Sequence, residues 1–428
     1  MEMKRMLIKN AADFDQKEVC IYGRVLNVRE LGGLTFVLIQ DFTGQIQAVF
    51  ERKVDIKNNE AIKVKGIIRK DKRAKGGYEI FVNDFEVISK SKELPFDLGK
   101  NELNLQLNTL LDHRTISLRH PKIQAIFKLY DILLESYETV MREEGFTEVK
   151  TPKLLETASE GGANFFKVDY FDKKAFLAQS PQLYKQIMVG VFERVFEIGP
   201  VFRAEPHFTT RHINEYISLD AEMGFINSYK DVIETLSSVI RKMIKIINEK
   251  GKDYLKIYNA NPVEVPQTIP NIKLAEAKEK INKKYGYSVP KDTDIDPEGE
   301  RLISKFVKEE FGSDFVFVTH YPWEHRPFYT MPDKENPGET FGFDLLFRGV
   351  ELVTGSQRIH LYDELIDNMN KKGVKPRGLE FYLETFKYGM PPHGGWAIGS
   401  ERFIQLILGL KNVKEAALFP RDVKRLSP

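Results

Sequence analysis

The residues with the clearest capacity for chemistry are two arginines on either side of a polar turn. Arg203 and Glu205 precede the turn, and Arg211, His212 and Glu215 follow it. A guanidinium is planar and permanently charged, so it can bind two phosphate oxygens at once. The stretch is therefore a candidate nucleotide clamp, although a surface ion-pair network would have the same composition.

A glycine-rich segment is the second candidate. Gly394, Gly395 and Gly399 lead through a short strand into Arg402 and an apolar helix over 403–408. Glycine lets the backbone approach a ligand closely. A cation in the first turn of a helix opposes the helix dipole, so we expect an anionic partner near Arg402. The segment is not a P-loop and does not match GxGxxG.

Two isolated carboxylates interrupt an apolar strand pair. Asp344 lies in the first strand, over 341–347, and Glu351 lies in the second, over 350–353. A buried carboxylate needs a partner, and Mg²⁺ is a suitable one where phosphates are bound nearby. A buried ion pair with an arginine is the alternative.

The amino-terminal part has the pattern of a small β-barrel. Five short strands separated by glycine turns are predicted over 19–28, 34–39, 46–50, 61–68 and 78–88. Among such barrels, the OB-fold holds single-stranded nucleic acid on an exposed sheet face. A purely structural β-domain would show the same pattern.

The rest of the chain predicts a second, α+β domain. Apolar residues recur at helical spacing from Ile123 to Met141, and Gly145 ends that helix. A long helix is predicted from about 230 to 250. We place a hinge at 94–119, between a barrel over 1–93 and a domain over 120–428. A small helical insertion at about 252–310 carries no obvious chemistry and is expected to be peripheral.

Composition limits the function classes. The chain has 428 residues, a formal net charge of +2 and a single cysteine, Cys20. Internal disulfides and multi-cysteine zinc sites are therefore excluded, and any contact with nucleic acid must come from local patches. The sequence contains no apolar run long enough to span a membrane and no secretion signal, so we expect a cytoplasmic protein.

Three stretches, in order, resemble the signature motifs of the class II aminoacyl-tRNA synthetases. The segment 145–152 resembles motif 1, whose proline, Pro152 here, lies at the dimer interface of the family. The segment 203–215 resembles motif 2, and 395–402 resembles motif 3. The resemblance extends over the whole chain and implies a homodimer. It also implies an OB-fold anticodon-binding barrel followed by a catalytic domain, an antiparallel sheet flanked by helices.

Within the aspartate, asparagine and lysine subgroup, the segment 179–186 resembles the aspartyl signature. Lys185 would neutralise the side-chain carboxylate of L-aspartate, and Arg358 matches the arginine that grips the same group. Two positive charges around one pocket would disfavour asparagine, because its amide would leave them unpaired. The resemblance also assigns Gln182, Arg203 and Thr354 to aspartate binding. It assigns one further residue, the acid of a loop that closes on the amino group, to Glu160.

The resemblance implies roles at ATP and Mg²⁺ as well. Arg203 would hold the α-phosphate and the substrate carboxylate, and Arg402 would contact the γ-phosphate, which makes both catalytic. Glu351 and Thr354 match the Mg²⁺ ligands, and more than one ion is expected to accompany ATP. The resemblance places four residues around adenosine: Glu205, Arg211, His212 and Ile213. The remaining expected ATP contacts are Glu351, Gly399, Ser400 and Glu401.

In the barrel, Phe36 resembles the aromatic residue that stacks on an anticodon base, and Gln47 and Glu79 match base-reading positions. Lys75 aligns with a loop position where lysine accompanies strict enzymes and proline accompanies relaxed ones. We therefore expect charging of tRNA-Asp, with charging of both tRNA-Asp and tRNA-Asn as the alternative.

Two further types of protein would share this fold and much of the motif pattern. One is an asparaginyl enzyme, against which Lys185 and Arg358 argue. The other is a catalytically inactive paralogue that binds RNA or makes asparagine, and the intact set of Arg203, Glu351 and Arg402 argues against it. The interval 227–340 is too short for the inserted domain of the bacterial enzymes, so the resemblance is to the archaeal and eukaryotic type.

Overall fold

The computed structural model describes residues 3–74, 76–100, 102–157, 164–206, 209–290 and 293–428. The chain forms two compact units, Met1–His120 and Pro121–Pro428. No helix in the described ranges combines the length and the apolar character that crossing a membrane requires.

The first unit contains a closed five-stranded barrel, as the glycine-punctuated strand pattern predicts. Its strands follow the order β1-β2-β3-β5-β4, and β1 also pairs with β4. Pairing is antiparallel except between β3 and β5. The strands are β1 (Glu18–Leu31), β2 (Leu34–Gln40), β3 (Gln45–Phe50), β4 (Ala61–Lys70) and β5 (Tyr78–Ser89). Alternate residues of β2 and β4 face the core, so one side of each strand is left for other contacts.

Three short helices complete the first unit. A 3₁₀ helix precedes the barrel, and two α-helices lie in the segment that the sequence assigns to a hinge. They are the 3₁₀ helix Ile8–Phe14, α1 (Leu107–Asp112) and α2 (Arg114–Ser117).

The second unit is built on an eight-stranded sheet of order β12-β13-β14-β15-β16-β11-β10-β6. It also contains a separate three-stranded sheet of order β7-β9-β8. Among the strands of the described ranges, the large sheet has parallel pairing between β12 and β13 and between β10 and β6, and its other pairs are antiparallel. The strands are β6 (Thr147–Glu148), β7 (Leu154–Leu155), β8 (Lys167–Tyr170), β9 (Lys173–Leu177), β10 (Arg194–Phe202), β11 (Glu215–Gly224), β12 (Asn271–Lys273), β13 (Phe315–Thr319), β14 (Gly342–Phe347), β15 (Val350–Gln357) and β16 (His393–Gly399).

Helices cover this sheet and supply most of the core. The α-helices are α3 (Pro121–Glu143), α4 (Gln182–Phe192), α5 (Tyr229–Lys250), α6 (Lys252–Ile257), α7 (Leu274–Tyr285), α8 (Pro297–Phe311), α9 (Tyr362–Lys371), α10 (Glu380–Lys387) and α11 (Ser400–Leu408), and the 3₁₀ helices are Trp323–His325 and Val413–Ala416. Helices α3, α5 and α11 share one apolar core with the sheet, and α4, α9 and α10 share another. Gly145 follows α3 with φ +81°, which explains why the helix stops there.

The expectation of a peripheral helical insertion at about 252–310 is wrong in one respect. This segment supplies β12, which forms an edge strand of the large sheet beside β13. Its helices α7 and α8 bury their apolar faces against residues of β13, including Val316 and Val318. The segment is thus part of the catalytic unit, and α8 reaches the candidate site.

Candidate active site

The large sheet brings the predicted motifs together on neighbouring strands. Strand β10 leads into the segment that begins with Arg203. Strand β16 contains the glycine-rich segment and leads into the helix of Arg402, and β14 and β15 carry the isolated carboxylates. Strand β11 lies between β10 and β16 and pairs with both. Because these strands are adjacent, residues far apart in the sequence form one site.

Lys185 is the buried cation on one side of this site. It lies on α4 and is 1% exposed. Its Nζ donates to Asp220 Oδ1 at 2.9 Å and to the carbonyl oxygen of Trp396 at 3.0 Å. Glu222 Oε2 lies 3.5 Å from the same nitrogen. The ammonium group is therefore held by three acceptors from two strands of the sheet.

Arg358 is the second buried cation. Its Nε donates to Glu222 Oε1 at 2.8 Å, and its Nη2 donates to Gln182 Oε1 at 3.3 Å. Further donors reach Ser356 Oγ and the carbonyl oxygen of Gly395. Burial alone would raise the pKa of Glu222, but Arg358 and Lys185 hold the pKa of that carboxyl below its usual value. The pocket is therefore lined by two cations and two carboxylates that are joined by hydrogen bonds.

This arrangement corrects the charge argument made from the sequence. The prediction of two cations that asparagine would leave unpaired is wrong, because Asp220 and Glu222 already balance Lys185 and Arg358. Asp220 and Glu222 stand two residues apart in the buried strand β11 and so face the same side of the sheet. Selectivity must therefore come from the placement of donors and not from the net charge.

Gly395 is needed for this network and not, as its motif suggested, only for ligand approach. A Cβ on Gly395 would lie 2.1 Å from the carbonyl oxygen of Ala221 and 2.3 Å from Glu222 Oε2. A side chain at this position would therefore displace β11 or the carboxylate that holds Arg358.

A neutral histidine, His393, hydrogen-bonds to the helix that carries Lys185. His393 Nδ1 donates to the carbonyl oxygen of Pro391 at 2.8 Å, so its Nε2 accepts from Gln186 Nε2 at 2.9 Å. Gln186 Oε1 in turn accepts from Tyr382 at 3.2 Å. Burial lowers the pKa of His393 to about 4. Sequence reasoning missed this layer, which fixes the helix that carries Lys185.

The other side of the site carries Arg203 and its neighbours, and it is more open. Arg203 pairs with Glu205 at 3.8 Å, and Glu205 lies 3.9 Å from His212 Nε2. The guanidinium of Arg203 also lies 5.8 Å from the ring centroid of Tyr216. Ile213 is buried beneath this segment. The long, partly exposed pairs leave Arg203 able to turn toward an anion.

Arg211 and Arg402 complete the open side. Arg211 Nη1 donates to Glu300 Oε2 at 2.9 Å, and Arg402 Nη1 donates to the carbonyl oxygen of Glu351 at 2.7 Å. The carboxylate of Glu351 lies 3.7 Å from the same nitrogen of Arg402. Arg402 therefore has the anionic neighbour that its position in the first turn of α11 predicted. Glu300 was not predicted.

Ser400 and Glu401 lie directly before Arg402, and their contacts are structural. The carboxylate of Glu401 accepts from the backbone N–H of Ile217, and burial raises its pKa to about 7. Ser400 Oγ donates to the carbonyl oxygen of Ile217 and contacts Tyr130 Oη at 2.7 Å. Gly399 is the residue before the helix. These contacts join α11 to β11 and α3.

The two isolated carboxylates have different surroundings. Asp344 forms a buried ion pair with Arg326 at 2.7 Å, so the ion-pair alternative is confirmed for Asp344. Thr354 lies opposite Asp344 in the strand register, and its hydroxyl accepts from Arg326 at 3.0 Å. Glu351 and Thr354 are hard oxygen donors on one strand, which suits a hard divalent cation. Among the described residues, no three His, Cys, Asp or Glu side chains form a preassembled metal site.

The predicted anticodon-reading residues lie on the barrel. Gln47 Nε2 donates to Glu79 Oε2 at 3.1 Å across the parallel pair β3 and β5. Phe36 is half-buried and belongs to the face of β2 that does not fill the barrel core. Lys75 and Glu160 lie outside the described residues. Pro152, in the motif 1 segment of the second unit, is exposed.

Comparison with known families agrees with this geometry. Residues 106–423 match the family described as tRNA synthetases class II (D, K and N), and residues 19–88 match the OB-fold nucleic acid binding domain. The chain belongs to the class II tRNA synthetases of the aspartate, lysine and asparagine group. The predicted fold, a barrel followed by a class II catalytic domain, is confirmed.

Individual relatives resemble the chain over its full length. An "Aspartate--tRNA(Asp/Asn) ligase" of Deinococcus radiodurans is 44% identical and covers 100% of this chain and 99% of its own length. An "Aspartate--tRNA(Asp) ligase" of Pyrococcus abyssi is 41% identical, with 97% of each chain covered. The asparaginyl-tRNA synthetase of Pyrococcus horikoshii, solved with asparaginyl-adenylate, has a TM-score of 0.93 at 31% identity and 100% coverage of both chains.

Proposed function

We propose that the protein is an aspartate–tRNA ligase. It activates L-aspartate with ATP to aspartyl-adenylate and pyrophosphate, and then transfers aspartate to the 3′ end of tRNA-Asp. The observation that carries this proposal is the buried pair Lys185 and Arg358, whose donors converge beside the glycine-rich strand. Full-length relatives with aspartate in their names support the same choice.

Lys185 and Arg358 bind the side-chain carboxylate of aspartate by sharing donors that now serve Asp220 and Glu222. Gln182 already bridges Arg358 and Glu222, and it orients the same group. The family resemblance assigns recognition of the amino group to Glu160, which lies outside the described residues. Asparagine has an N–H₂ group in place of one carboxylate oxygen. This group is a donor, so it cannot accept a hydrogen bond from Lys185 or Arg358, and one buried hydrogen bond is lost.

Activation needs positioning and charge neutralisation more than proton transfer. The α-carboxylate of aspartate is ionised at neutral pH and is already a nucleophile toward the α-phosphate. Arg203 orients both groups for in-line attack, and Arg402 binds the γ-phosphate. Arg211 is expected at adenosine from the sequence, but its backbone contacts Arg402, so we assign it to the outer phosphates as well. Glu205, with His212, faces adenosine. No described side chain is required to act as a general base.

The family generally uses ATP with a divalent metal, and we propose Mg²⁺ here. Glu351 and Thr354 would hold it, and the ion would neutralise charge on the ATP phosphates. Arg326 stays paired with Asp344 behind these ligands and fixes the Thr354 hydroxyl.

Phe36, Gln47 and Glu79 form the proposed anticodon-reading surface. An aromatic on an exposed sheet face supplies base stacking, and the Gln47–Glu79 pair offers polar groups at a fixed spacing. Lys75 supports strict recognition of tRNA-Asp. Charging of tRNA-Asn as well is the second candidate, because the relatives from Deinococcus radiodurans and Thermus thermophilus are named for both tRNAs.

We propose a homodimer that functions in the cytoplasm. Pro152 and Leu154 are exposed in the motif 1 segment and directly after it, and a second copy would cover them. Cys20 is buried in the barrel and free, which is compatible with a reducing compartment.

Charging of purified transcripts tests this function. Labelled aspartate, ATP and Mg²⁺ are incubated with tRNA-Asp and with tRNA-Asn, and labelled asparagine is tested in parallel. Aspartate on tRNA-Asp alone supports strict recognition, and aspartate on both supports the second candidate. Transfer of asparagine without aspartate would overturn the proposal.

A further inference from the structure

Glu300 extends from α8 into the nucleotide side of the site. Its Oε2 accepts from Arg211 Nη1 at 2.9 Å and from the backbone N–H of Glu351 at 3.2 Å. Arg402 joins the same group through the carbonyl oxygens of Glu351 and Arg211. These contacts form a closed ring of four residues. Only Glu300 in this ring comes from the segment for which the sequence predicts no chemistry.

The position of Glu300 on its helix explains how it reaches the ring. Asp296 caps α8 and Pro297 begins it, which fixes the helix start. Glu300 then lies near the start of the buried stripe that continues with Ile303 and Val307. A carboxylate in a buried stripe is costly unless it is paired, so its presence calls for a specific partner.

Arg211 is held in a way that leaves donors for a ligand. A guanidinium has five N–H donors. In the described part of the chain, one donor of Arg211 goes to Glu300 and another to the carbonyl oxygen of Gly349 at 3.3 Å. The others stay available for phosphate oxygens. Glu300 thus fixes the direction of the guanidinium without occupying it fully.

We propose that Glu300 is a positioning residue that sets Arg211 and the Glu351 backbone for binding the triphosphate of ATP. The inference rests on the proposed function, because it concerns ATP at the same site. Its ligand contact is indirect, through Arg211 and Glu351. Replacing the Glu300 carboxyl group, which holds Arg211 and the Glu351 backbone, therefore changes the use of ATP and leaves aspartate binding on the other side of the site intact.

The test compares Glu300→Gln with Glu298→Gln in aspartate-dependent ATP–pyrophosphate exchange. Glu298 is a suitable control because it lies in the first turn of the same helix, is partly exposed and forms its ion pair with Arg301, away from the ring. We expect Glu300→Gln to raise the KM for ATP about tenfold, the effect of weakening one charge-assisted hydrogen bond. The KM for aspartate should change less than about twofold, and Glu298→Gln should match the wild type.

A double-mutant cycle separates positioning from general stability. If Glu300 acts through Arg211, the ATP KM of Arg211→Gln should not rise further when Glu300→Gln is added. Independent, multiplying effects would overturn the proposal, as would a Glu300→Gln variant whose ATP KM equals that of the wild type. A parallel rise in both KM values with a lowered melting temperature would indicate a purely structural role, which also overturns it.

Failure of the proposed function would give a different result. Wild-type protein would then show no aspartate-dependent exchange at all. The role of Glu300 would still be decided by calorimetric titration of ATP with Mg²⁺ into the wild type and the same variants. Binding that is about tenfold weaker in Glu300→Gln supports the inference, and equal binding overturns it.

Discussion

The two sides of the site differ most in how their charges are held. Lys185 is 1% exposed and Arg358 is 5% exposed, and each contacts a buried carboxylate at 2.9 and 2.8 Å respectively. The side chains of Arg203 and Arg402 are 39% and 24% exposed, and their nearest carboxylates lie 3.8 and 3.7 Å away. The cations of the proposed amino-acid side are held by ion pairs within the protein. The nucleotide side presents charges that an anionic ligand can still recruit.

On the proposed function, this difference follows from the ligand that each side recognises. Aspartate and asparagine differ by one polar atom, so selection between them needs donors held rigidly in a dry pocket. A triphosphate carries several charges and brings its own cation, so partly solvated arginines suffice to bind it. Substitutions on the two sides should therefore affect different quantities.

The largest effect is expected for Lys185→Ala. Removing this cation leaves Asp220 buried without a cationic partner, a change that typically lowers the free energy of unfolding by about 3–5 kcal/mol. The KM for aspartate should rise by roughly one to two orders of magnitude, far more than that for ATP, because a charge-assisted hydrogen bond to the substrate carboxylate worth about 1.5–3 kcal/mol is lost. Pyrophosphate exchange at varied aspartate and varied ATP measures both. An unchanged aspartate KM would remove Lys185 from substrate selection.

Acid should weaken the amino-acid side through His393. Its pKa is lowered to about 4 by burial, whereas an unfolded chain takes up this proton near about pH 6.5. The unfolded state therefore binds more protons between these values, and the free energy of unfolding falls as the pH falls. The full shift corresponds to roughly 3 kcal/mol.

His393→Gln tests this pH dependence. The variant lacks the titrating group, so its stability should fall less steeply between about pH 6.5 and about pH 4 than that of the wild type. Denaturant unfolding at several pH values gives the two slopes. Equal slopes would show that His393 does not remain neutral in the folded pocket.

On the nucleotide side, Arg402→Gln should impair ATP use without unfolding the protein. Losing one charge-assisted contact is expected to cost about 1.5–3 kcal/mol in kcat/KM for ATP. The substitution should cost less than about 1 kcal/mol of folding stability, because the side chain is partly exposed. Exchange kinetics and thermal unfolding measure the two effects. A collapse of stability comparable to that of Lys185→Ala would remove the contrast between the two sides.

The smallest effect is expected at the barrel. Phe36→Ala removes a base-stacking ring worth about 1–3 kcal/mol, so the KM for tRNA-Asp should rise. Pyrophosphate exchange without tRNA should not change, because the barrel plays no part in activation. Lys65→Ala, a barrel cation paired with Asp84, is the control. If Phe36→Ala charges tRNA as the wild type does, Phe36 is not a stacking residue.

Much of the fold could be predicted because its signals are local. The five barrel strands and the long helices α3 and α5 follow from alternation, helical spacing and glycine stops. Signals that depend on long-range pairing were missed. Glu300 lies 89 residues from its partner Arg211 in the sequence, and the spacing of buried residues along a helix does not identify a partner on another element.

The site was predicted in its residues but not in its charge balance. Motif likeness led to Lys185 and Arg358, whereas Asp220 and Glu222 are, in the sequence, only two acids in an apolar stretch. Whether such acids face a substrate or a protein cation depends on how α4 and β16 pack on that strand. Sequence spacing alone does not contain that information.

The most direct measurement is pyrophosphate exchange by the wild-type protein with aspartate and with asparagine as the only amino acid. A pocket of fixed donors predicts exchange with aspartate and a preference over asparagine on the order of 100-fold or more in kcat/KM. Equal or faster exchange with asparagine would contradict the account, because it would show that the Lys185 and Arg358 network does not select a carboxylate.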